Sequence, residues 1–457
     1  MFLKGISKKS LILFLGDLFF IVIAYISALY IRGASEIFSD ELFILNYSVI
    51  AAINVFIFYL FDLYDFSVQF SNLKYLFKFL ISVLLGFLVV STVFHFVDIL
   101  SVGRGVLLIK TILITIFCYS WRILFGHVFR NLLFKPKNVV IIGAGSSGKF
   151  LYKSIKDSPF FKVNFFIDDD IQKVGTKNSP VVIGGCEKLL EDDFLNGVDE
   201  VVVAIKGIKS EKLLKCILQC KAKNIEVTDM PTFYELCFGK IPVKYIDDFW
   251  IVANPMLGMK KTVYNSKLKF VLDKVFATLI LVCSLPILLT AMFLIFLEDG
   301  LPVIFRQERV GKDGKLFTSY KLRTMRKGTE KEREKAGEKD DPRITKVGKY
   351  LRKLRIDEIP QAWNVLKGDM SIIGPRALIE EEVKVFEQEI PYFGLRHTVK
   401  PGITGWAQVN YKHGAKLEDG FEKLQYDLYY IKNLSPAIDF YILLKTVKVV
   451  LFGKGAR

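Results

Sequence analysis

The chain has 457 residues, with 63 Lys plus Arg against 47 Asp plus Glu and a formal net charge of +16. Hydrophobic residues make up 52%, Phe alone accounts for 40 positions, and the mean hydropathy is +0.35. This balance excludes a disordered acidic tail, a collagen-like repeat and an ordinary soluble enzyme, and the length has room for two or three domains. The six Cys form no Cys-x-x-Cys pair, and the four His (His95, His127, His397, His413) are scattered. Neither a disulfide framework nor a zinc site is expected, and a reducing compartment fits.

Four apolar runs, 11–31, 42–61, 76–97 and 106–125, fill the first third. Each is about 20 residues, enough to cross roughly 30 Å of hydrocarbon as a helix. The first run is too long for a cleavable signal peptide and is followed by further spans. Residues 1–134 therefore read as a four-helix transmembrane block. Lys4, Lys8 and Lys9 precede the first span, the loop 33–41 holds only acids, Arg122 stands near the end of the fourth run, and His127, Arg130, Lys135 and Lys137 follow it. Both ends of the block are expected on the cytoplasmic side. Within the fourth run, snorkelling is expected of Arg122 and a bundle-facing polar contact of Lys110. The block reads as an anchor.

Residues 135–250 change pattern. A strand from Lys137 leads into Gly143-Ala-Gly145-Ser-Ser-Gly148 and a helix, and Asp168 stands twenty residues beyond Gly148. This is the spacing of a dinucleotide-binding unit: the glycines admit a pyrophosphate to a helix N-terminus, and the acid takes a ribose hydroxyl. A strand at 180–183, a helix at 187–195 and a strand at 199–204 continue an α/β pattern. NAD is one candidate ligand. However, the only Tyr-x-x-x-Lys match, Tyr152 and Lys156, lies in the first helix beside the glycine loop, the wrong place for redox chemistry. The favoured reading is a degenerate Rossmann-like module that positions its neighbours or senses a nucleotide.

Residues 251–457 begin with a fifth apolar run, 270–297. Lys260, Lys261, Lys267, Lys269 and Lys274 precede it, and Arg306, Arg309, Lys312 and Lys315 follow, so both flanks prefer the cytoplasmic side. Ser284 and Pro286 interrupt the run, because proline removes a backbone donor and the serine can satisfy a freed carbonyl. A helix–break–helix over 268–298 that enters and leaves one leaflet is expected.

From Leu301 onward there are 31 basic and 21 acidic residues, an excess that suits phosphates or anionic lipid. No nucleic-acid-binding motif is present. The stretch 326–341 is mixed charge without apolar periodicity and reads as a solvated helix or loop. Around it lie a glycine hairpin at 311–317, then Tyr320-Lys321-Leu-Arg323, Arg352, Arg355-Ile-Asp357-Glu358-Ile-Pro360-Gln361, Gly368-Asp369-Met-Ser371-Ile-Ile-Gly374-Pro375-Arg376, Pro401-Gly402-Ile-Thr404-Gly405 and Tyr426-Asp427.

In this order and spacing the chain resembles the monotopic phosphoglycosyltransferases, also called the bacterial sugar transferase family, in the long form with four transmembrane helices and a Rossmann-like domain. The resemblance implies a membrane enzyme that moves a sugar 1-phosphate from a UDP-sugar to undecaprenyl phosphate and releases UMP, the first membrane step of a surface polysaccharide. It implies Asp357 as the nucleophile, with Glu358 beside it and Mg2+ held by Glu358 and Asp427. It also implies phosphate contacts by Lys321, Arg323, Arg352, Pro375 and Arg376, and a homodimer in the bacterial inner membrane with its soluble domains in the cytoplasm. One position departs from the family pattern: Ala377 stands where a second proline is usual, which is expected to loosen the turn at Pro375 and Arg376. The final stretch 441–452 is too short to span and is expected to lie in the interface. The competing readings are an NAD-dependent sugar-nucleotide epimerase or dehydratase, which lacks its acid–base pair here, and a non-catalytic scaffold that binds nucleotide sugars.

Overall fold

The computed structural model describes residues 8–33, 43–64, 70, 72–97, 102–132, 135–170, 181–205, 210–327, 341–411 and 417–452. Lys4, the acidic loop 34–41, Pro180 and most of the mixed-charge stretch (328–340) lie outside the described residues. The chain forms two compact units, Met1–Pro136 and Lys137–Arg457.

The first unit holds four apolar helices: α1 (Lys8–Ile31), α2 (Phe43–Leu60), α3 (Leu73–Phe96) and α4 (Arg104–Leu132). All four are long and apolar enough to cross a membrane. α1 packs on α4 and α2, and α3 packs on α2 and α4. Lys110 is buried among the helices, but the polar contact expected of it does not form: its Nζ has no hydrogen-bond partner among the described residues. Arg122 does not snorkel. It is fully buried, ion-paired with Asp17 of α1, and donates to the Leu63 carbonyl at 2.7 Å and the Tyr75 hydroxyl at 2.6 Å. A carboxylate and two neutral oxygens satisfy it inside, so its charge has no need of the interface.

The second unit opens with a four-stranded parallel sheet in the order β2-β1-β3-β4, formed by β1 (Lys137–Ile142), β2 (Phe161–Ile167), β3 (Glu200–Val203) and β4 (Glu226–Asp229). Buried on both faces, β1 and β3 are continuous Val/Ile runs, as a covered parallel sheet requires. Helices α5 (Ser146–Ile155), α6 (Asp192–Leu195), α7 (Glu211–Ala222) and α8 (Met230–Phe238) surround this α/β core. Cys216 and Cys220 share the buried face of α7.

α8 ends at Gly239, whose left-handed conformation (φ 63°) stops the helix. The Gly239 carbonyl accepts from the Trp406 indole at 2.7 Å, and Ile241 N–H donates to the Gln425 carbonyl at 3.0 Å. These bonds tie the sheet region to the C-terminal helices. After α9 (Asp248–Ala253) comes α10 (Lys269–Asp299). The expected break is not there: α10 is one continuous helix with Pro286 inside it, and Ser284 Oγ donates to the Ile280 carbonyl at 2.5 Å. A single proline within a long apolar helix costs one backbone bond without dividing it.

Next follow the hairpin β5 (Ile304–Val310) and β6 (Leu316–Leu322), then α11 (Lys346–Lys353) and α12 (Gln361–Lys367). β7 (Ser371–Ile373) pairs in parallel with β8 (Gly402–Thr404), so the two glycine-containing motifs are neighbouring strands. Their backbones approach too closely for side chains: a Cβ on Gly374 would lie 2.4 Å from the Lys400 carbonyl oxygen. α13 (Glu380–Glu389), α14 (Trp406–Asn410), α15 (Leu417–Asn433) and α16 (Pro436–Leu451) complete the unit.

Candidate active site

Thr345 caps α11 by accepting from Gly348 N–H at 2.9 Å, and the helix ends one turn before the acidic pair. Arg355 then adopts a left-handed conformation (φ 58°), turning the chain into a short 3-10 segment, Ile356–Glu358. Pro360 precedes the first turn of α12, where its fixed φ suits the helix start. Asp357 and Glu358 thus stand between two helices, each only 8% exposed.

Glu358 is surrounded by cations. Its Oε1 accepts from Lys321 Nζ at 2.9 Å and from Arg376 Nη2 at 2.8 Å, and Arg355 lies 3.7 Å from Oε2. Burial alone would raise its pKa, but Arg376, Lys321 and Arg355 outweigh burial and hold it well below the carboxylate range. Asp357 moves the other way. Burial, with the adjacent Glu358 charge, raises it, and Lys321, Arg352 and Arg355 only partly compensate. Asp357 Oδ1 is buried without a hydrogen-bond partner. Lys321 is pushed down to about 8, because burial and the nearby Arg376 and Arg309 outweigh its bond to Glu358.

Arg352 donates from Nε to Thr324 Oγ1 at 2.8 Å and faces Asp357. Lys321, Arg352 and Arg376 therefore come together at the dyad, as expected. Pro375 supplies a carbonyl to Gly402 N–H at 2.9 Å and contributes shape to the loop. Arg323 is elsewhere. Its Nη2 donates to the carbonyls of Asp299 and Gly300 at 2.7 and 2.8 Å and pairs with the Asp299 carboxylate at 3.1 Å. Through Nη2 it caps the end of α10, where the strand β6 has ended at Leu322, while Nε and Nη1 have no hydrogen-bond partner among the described residues.

The residues missed in the sequence are Arg309, Arg355 and Arg396. Arg309 is half-buried, donates to the Ala377 carbonyl, and keeps Nε without a partner; burial and the Arg376 charge push it down to about 10. It lies on β5, far in sequence from the dyad, and nothing local marks it. The Ala377 carbonyl clamp also fixes the turn that the missing proline was expected to loosen.

Lys321, Arg309, Arg352, Arg355 and Arg376 gather at the dyad, and these five cations are acted on by Asp357 and Glu358 together with Glu382 and Asp341. A buried excess of positive charge is costly by itself and is met by an anion. Phosphates fit: the arginines offer planar forks and the lysine a point charge.

The metal pair expected from the resemblance does not assemble. Asp427 Oδ2 accepts from Arg396 Nε at 3.2 Å and Nη2 at 2.9 Å, while Glu358 is engaged by its own cations. Burial raises the Asp427 pKa against the pull of Arg396. Among the described residues no cluster of three His, Cys, Asp or Glu side chains forms. The residues present do not fit a Glu358–Asp427 magnesium site, and no step is derived through one.

The glycine loop has a structural use. A Cβ on Gly148 would lie 1.9 Å from the Gly143 carbonyl oxygen, so close packing alone requires that glycine. Gly143 has φ 103° and Gly145 caps α5 with open space before it. Asp168 Oδ2 accepts from Ala144 N–H at 2.8 Å and so braces the loop itself. A cavity of about 300 Å³ lies at the carboxyl ends of β3 and β4, lined by Ser147, Ala204, Asp229, Tyr245 and Trp250.

Two families match the chain: a bacterial sugar transferase domain over residues 264–453 and a CoA-binding domain over residues 59–231. The chain is 32% identical to the UDP-glucose:undecaprenyl-phosphate glucose-1-phosphate transferase of Escherichia coli (strain K12), over 72% of this chain and 70% of that protein. It is 29% identical to the undecaprenyl-phosphate galactose phosphotransferase of Salmonella typhimurium, over 75% of each. It is 38% identical to a UDP-N-acetylgalactosamine-undecaprenyl-phosphate N-acetylgalactosaminephosphotransferase of Aeromonas hydrophila, over 53% of this chain and a little over half, 56%, of that protein.

Proposed function

The chain belongs to the bacterial sugar transferase family, and we propose that it transfers a sugar 1-phosphate from a UDP-sugar to undecaprenyl phosphate through a covalent intermediate on Asp357. The observation that carries this reading is the unpartnered, buried Asp357 Oδ1 beside a Glu358 that is fully engaged by cations. The raised pKa of Asp357 makes its carboxylate the more basic, and hence the more nucleophilic, of the two.

That oxygen attacks the phosphorus bearing the sugar. The phosphoanhydride bond breaks, UMP leaves, and an acyl phosphate joins the phosphosugar to Asp357. A phosphate oxygen of the lipid then attacks the same phosphorus, forms the lipid diphosphate sugar, and frees the carboxylate. Lys321, Arg352 and Arg376 are set to offset charge on the phosphate oxygens, while Glu358 keeps Lys321 and Arg376 in place. Splitting one displacement into two gives each a nearby partner.

α10 supports placing this chemistry at one face of a membrane. Near its start, Asp273 Oδ1 accepts from Ser371 Oγ and Ile372 N–H, both at 3.0 Å. Near its end, the Glu298 carboxylate accepts from the N–H groups of Lys346 and Val347 at 2.7 and 2.9 Å. About 37 Å of helix separates those anchors at 1.5 Å per residue, yet both grip the same α/β body. Leu279, Val282, Leu289, Phe293 and Leu297 are exposed along it. A helix that dips into the cytoplasmic leaflet with both ends held on the same side accounts for these bonds and for the basic flanks. The inner-membrane location, the four crossings of the N-terminal helices and a homodimer belong to the same proposal.

The test is UMP release by protein in nanodiscs with undecaprenyl phosphate, a divalent cation and a panel of UDP-sugars. Release with one sugar, lost in Asp357→Asn, supports the reading; normal turnover by that variant removes it.

A further inference from the structure

Arg376 reaches Glu358 from a loop, and loops hold a guanidinium only as well as their backbone is held. Here consecutive backbone groups are bound from outside the loop. Gly374 N–H donates to the Thr404 carbonyl at 2.9 Å, and the Pro375 carbonyl accepts from Gly402 N–H at 2.9 Å. The Arg376 carbonyl accepts from Arg396 Nη2 at 2.9 Å, and the Ala377 carbonyl accepts from Arg309. Of these, the Arg396 contact has a further tie. Its guanidinium, 4% exposed, places Nε and Nη2 on Asp427 Oδ2 and lies over the Phe393 ring at 5.1 Å.

We infer that Asp427 and Arg396 are positioning residues that hold Arg376 against Glu358, and that Asp427 acts through this relay and not as a metal ligand. The relay runs Asp427–Arg396–Arg376 carbonyl, then through the Arg376 side chain to Glu358 at 2.8 Å. It joins α15, the turn Phe393–Thr398, the β7–α13 loop and the dyad turn, which lie far apart in sequence. Each member has a charge or dipole partner, and one of the two Asp427 carboxylate oxygens, Oδ2, already takes two N–H groups. The inference rests on the reading of Asp357 and Glu358 as the reaction centre.

The experiment is a double-mutant cycle between Asp427→Asn and Arg376→Ala on the full chain in nanodiscs, read as UDP affinity and as kcat/KM, each titrated with Mg2+. The expected result is a 10- to 100-fold loss of kcat/KM in Asp427→Asn. In the Arg376→Ala background the same substitution should cost less than twofold in either readout, and the Mg2+ concentration for half-maximal effect should stay within twofold. A purely structural role would act equally in both backgrounds. Independent, multiplying losses, or a tenfold rise in the Mg2+ requirement, overturn the inference. Should Asp427→Asn leave Arg396 unpaired and the protein misfolded, the pair Asp427→Asn/Arg396→Gln removes both charges and enters the same cycle, judged by the same two criteria. UDP affinity reads the relay whether or not turnover occurs, whereas Asp357→Asn reads the reaction, so failure of one is distinguishable from failure of the other.

Discussion

Asp357 and Glu358 are neighbours in the chain, equally buried, and shifted in opposite directions: burial raises the first, while three cations hold the second well below its ordinary range. The divergence comes from aim. Glu358 points one oxygen, Oε1, at both Lys321 and Arg376, and Asp357 leaves Oδ1 unbonded. Two like functional groups acquire separate environments from their surroundings, which is what the proposed roles of reacting oxygen and organiser of the cations require.

Mixing the protein with the UDP-sugar it uses, without lipid acceptor, should trap a phosphosugar on the peptide containing Asp357. Intact mass after acid quench checks this. In Asp357→Asn both the adduct and UMP release should fall by about 10³-fold or more, since no other unpartnered carboxylate oxygen is present at the site among the described residues. An adduct of normal yield in that variant would move the nucleophile elsewhere.

The pH profile of kcat/KM should have an alkaline limb near 8. Lys321 is pushed down to about 8 by burial, so it is charged below that pH and loses its charge as pH rises through it, weakening its hold on phosphate. The acid limb should lie above the ordinary Asp range, because Asp357 must be ionised and its pKa is raised. Arg352→Gln removes a cation that opposes this rise, and should move the acid limb further up. An acid limb unmoved by Arg352→Gln would show that Asp357 does not set it.

Arg376→Lys should lower kcat/KM by about 10- to 100-fold. It keeps the charge but loses the fork that reaches Glu358 and a phosphate together. UDP affinity, measured alongside, should fall in the same variant.

In the helical bundle, Arg122→Leu or Asp17→Asn alone leaves one charge buried without its partner, at a cost of about 3–5 kcal/mol. Combining the two should recover most of the loss. Thermal melting in detergent checks this, and a double variant as unstable as the sum of the singles would show that the pair is not the source.

Tyr350, Leu354 and Trp363 are exposed on and beside α11 and α12, the two helices that flank the dyad. Exposed aromatic and apolar side chains near an apolar helix suit a lipid interface. Leu354→Ser/Trp363→Ser should raise the KM for undecaprenyl phosphate several-fold and leave UDP affinity unchanged. A matching loss of UDP affinity would place these residues in the nucleotide site.

Much of this protein is legible in one dimension because the signals are local. Apolar runs of bilayer length, strand–glycine–helix spacing and the Asp357-Glu358 pair each depend on residues near one another in sequence. So the four N-terminal helices, the parallel strands and the dyad with Lys321, Arg352 and Arg376 were readable in advance. Where the reading went wrong, the deciding partner came from another element. Arg122 was expected to snorkel, but Asp17, 105 residues away, neutralises it. Arg323 has the residue type of a phosphate clamp, but the end of α10 claims it. Asp427 has the residue type of a metal ligand, but Arg396 arrives first. Pro286 carries the local signature of a break, yet α10 packs along α11, α12 and β7, and tertiary contacts keep it helical. The sequence by itself determined which side chains could bear charge and which segments could leave water. Only the tertiary structure decided which charges meet, because a long-range ion pair depends on where the chain returns, and no residue records its partner's address.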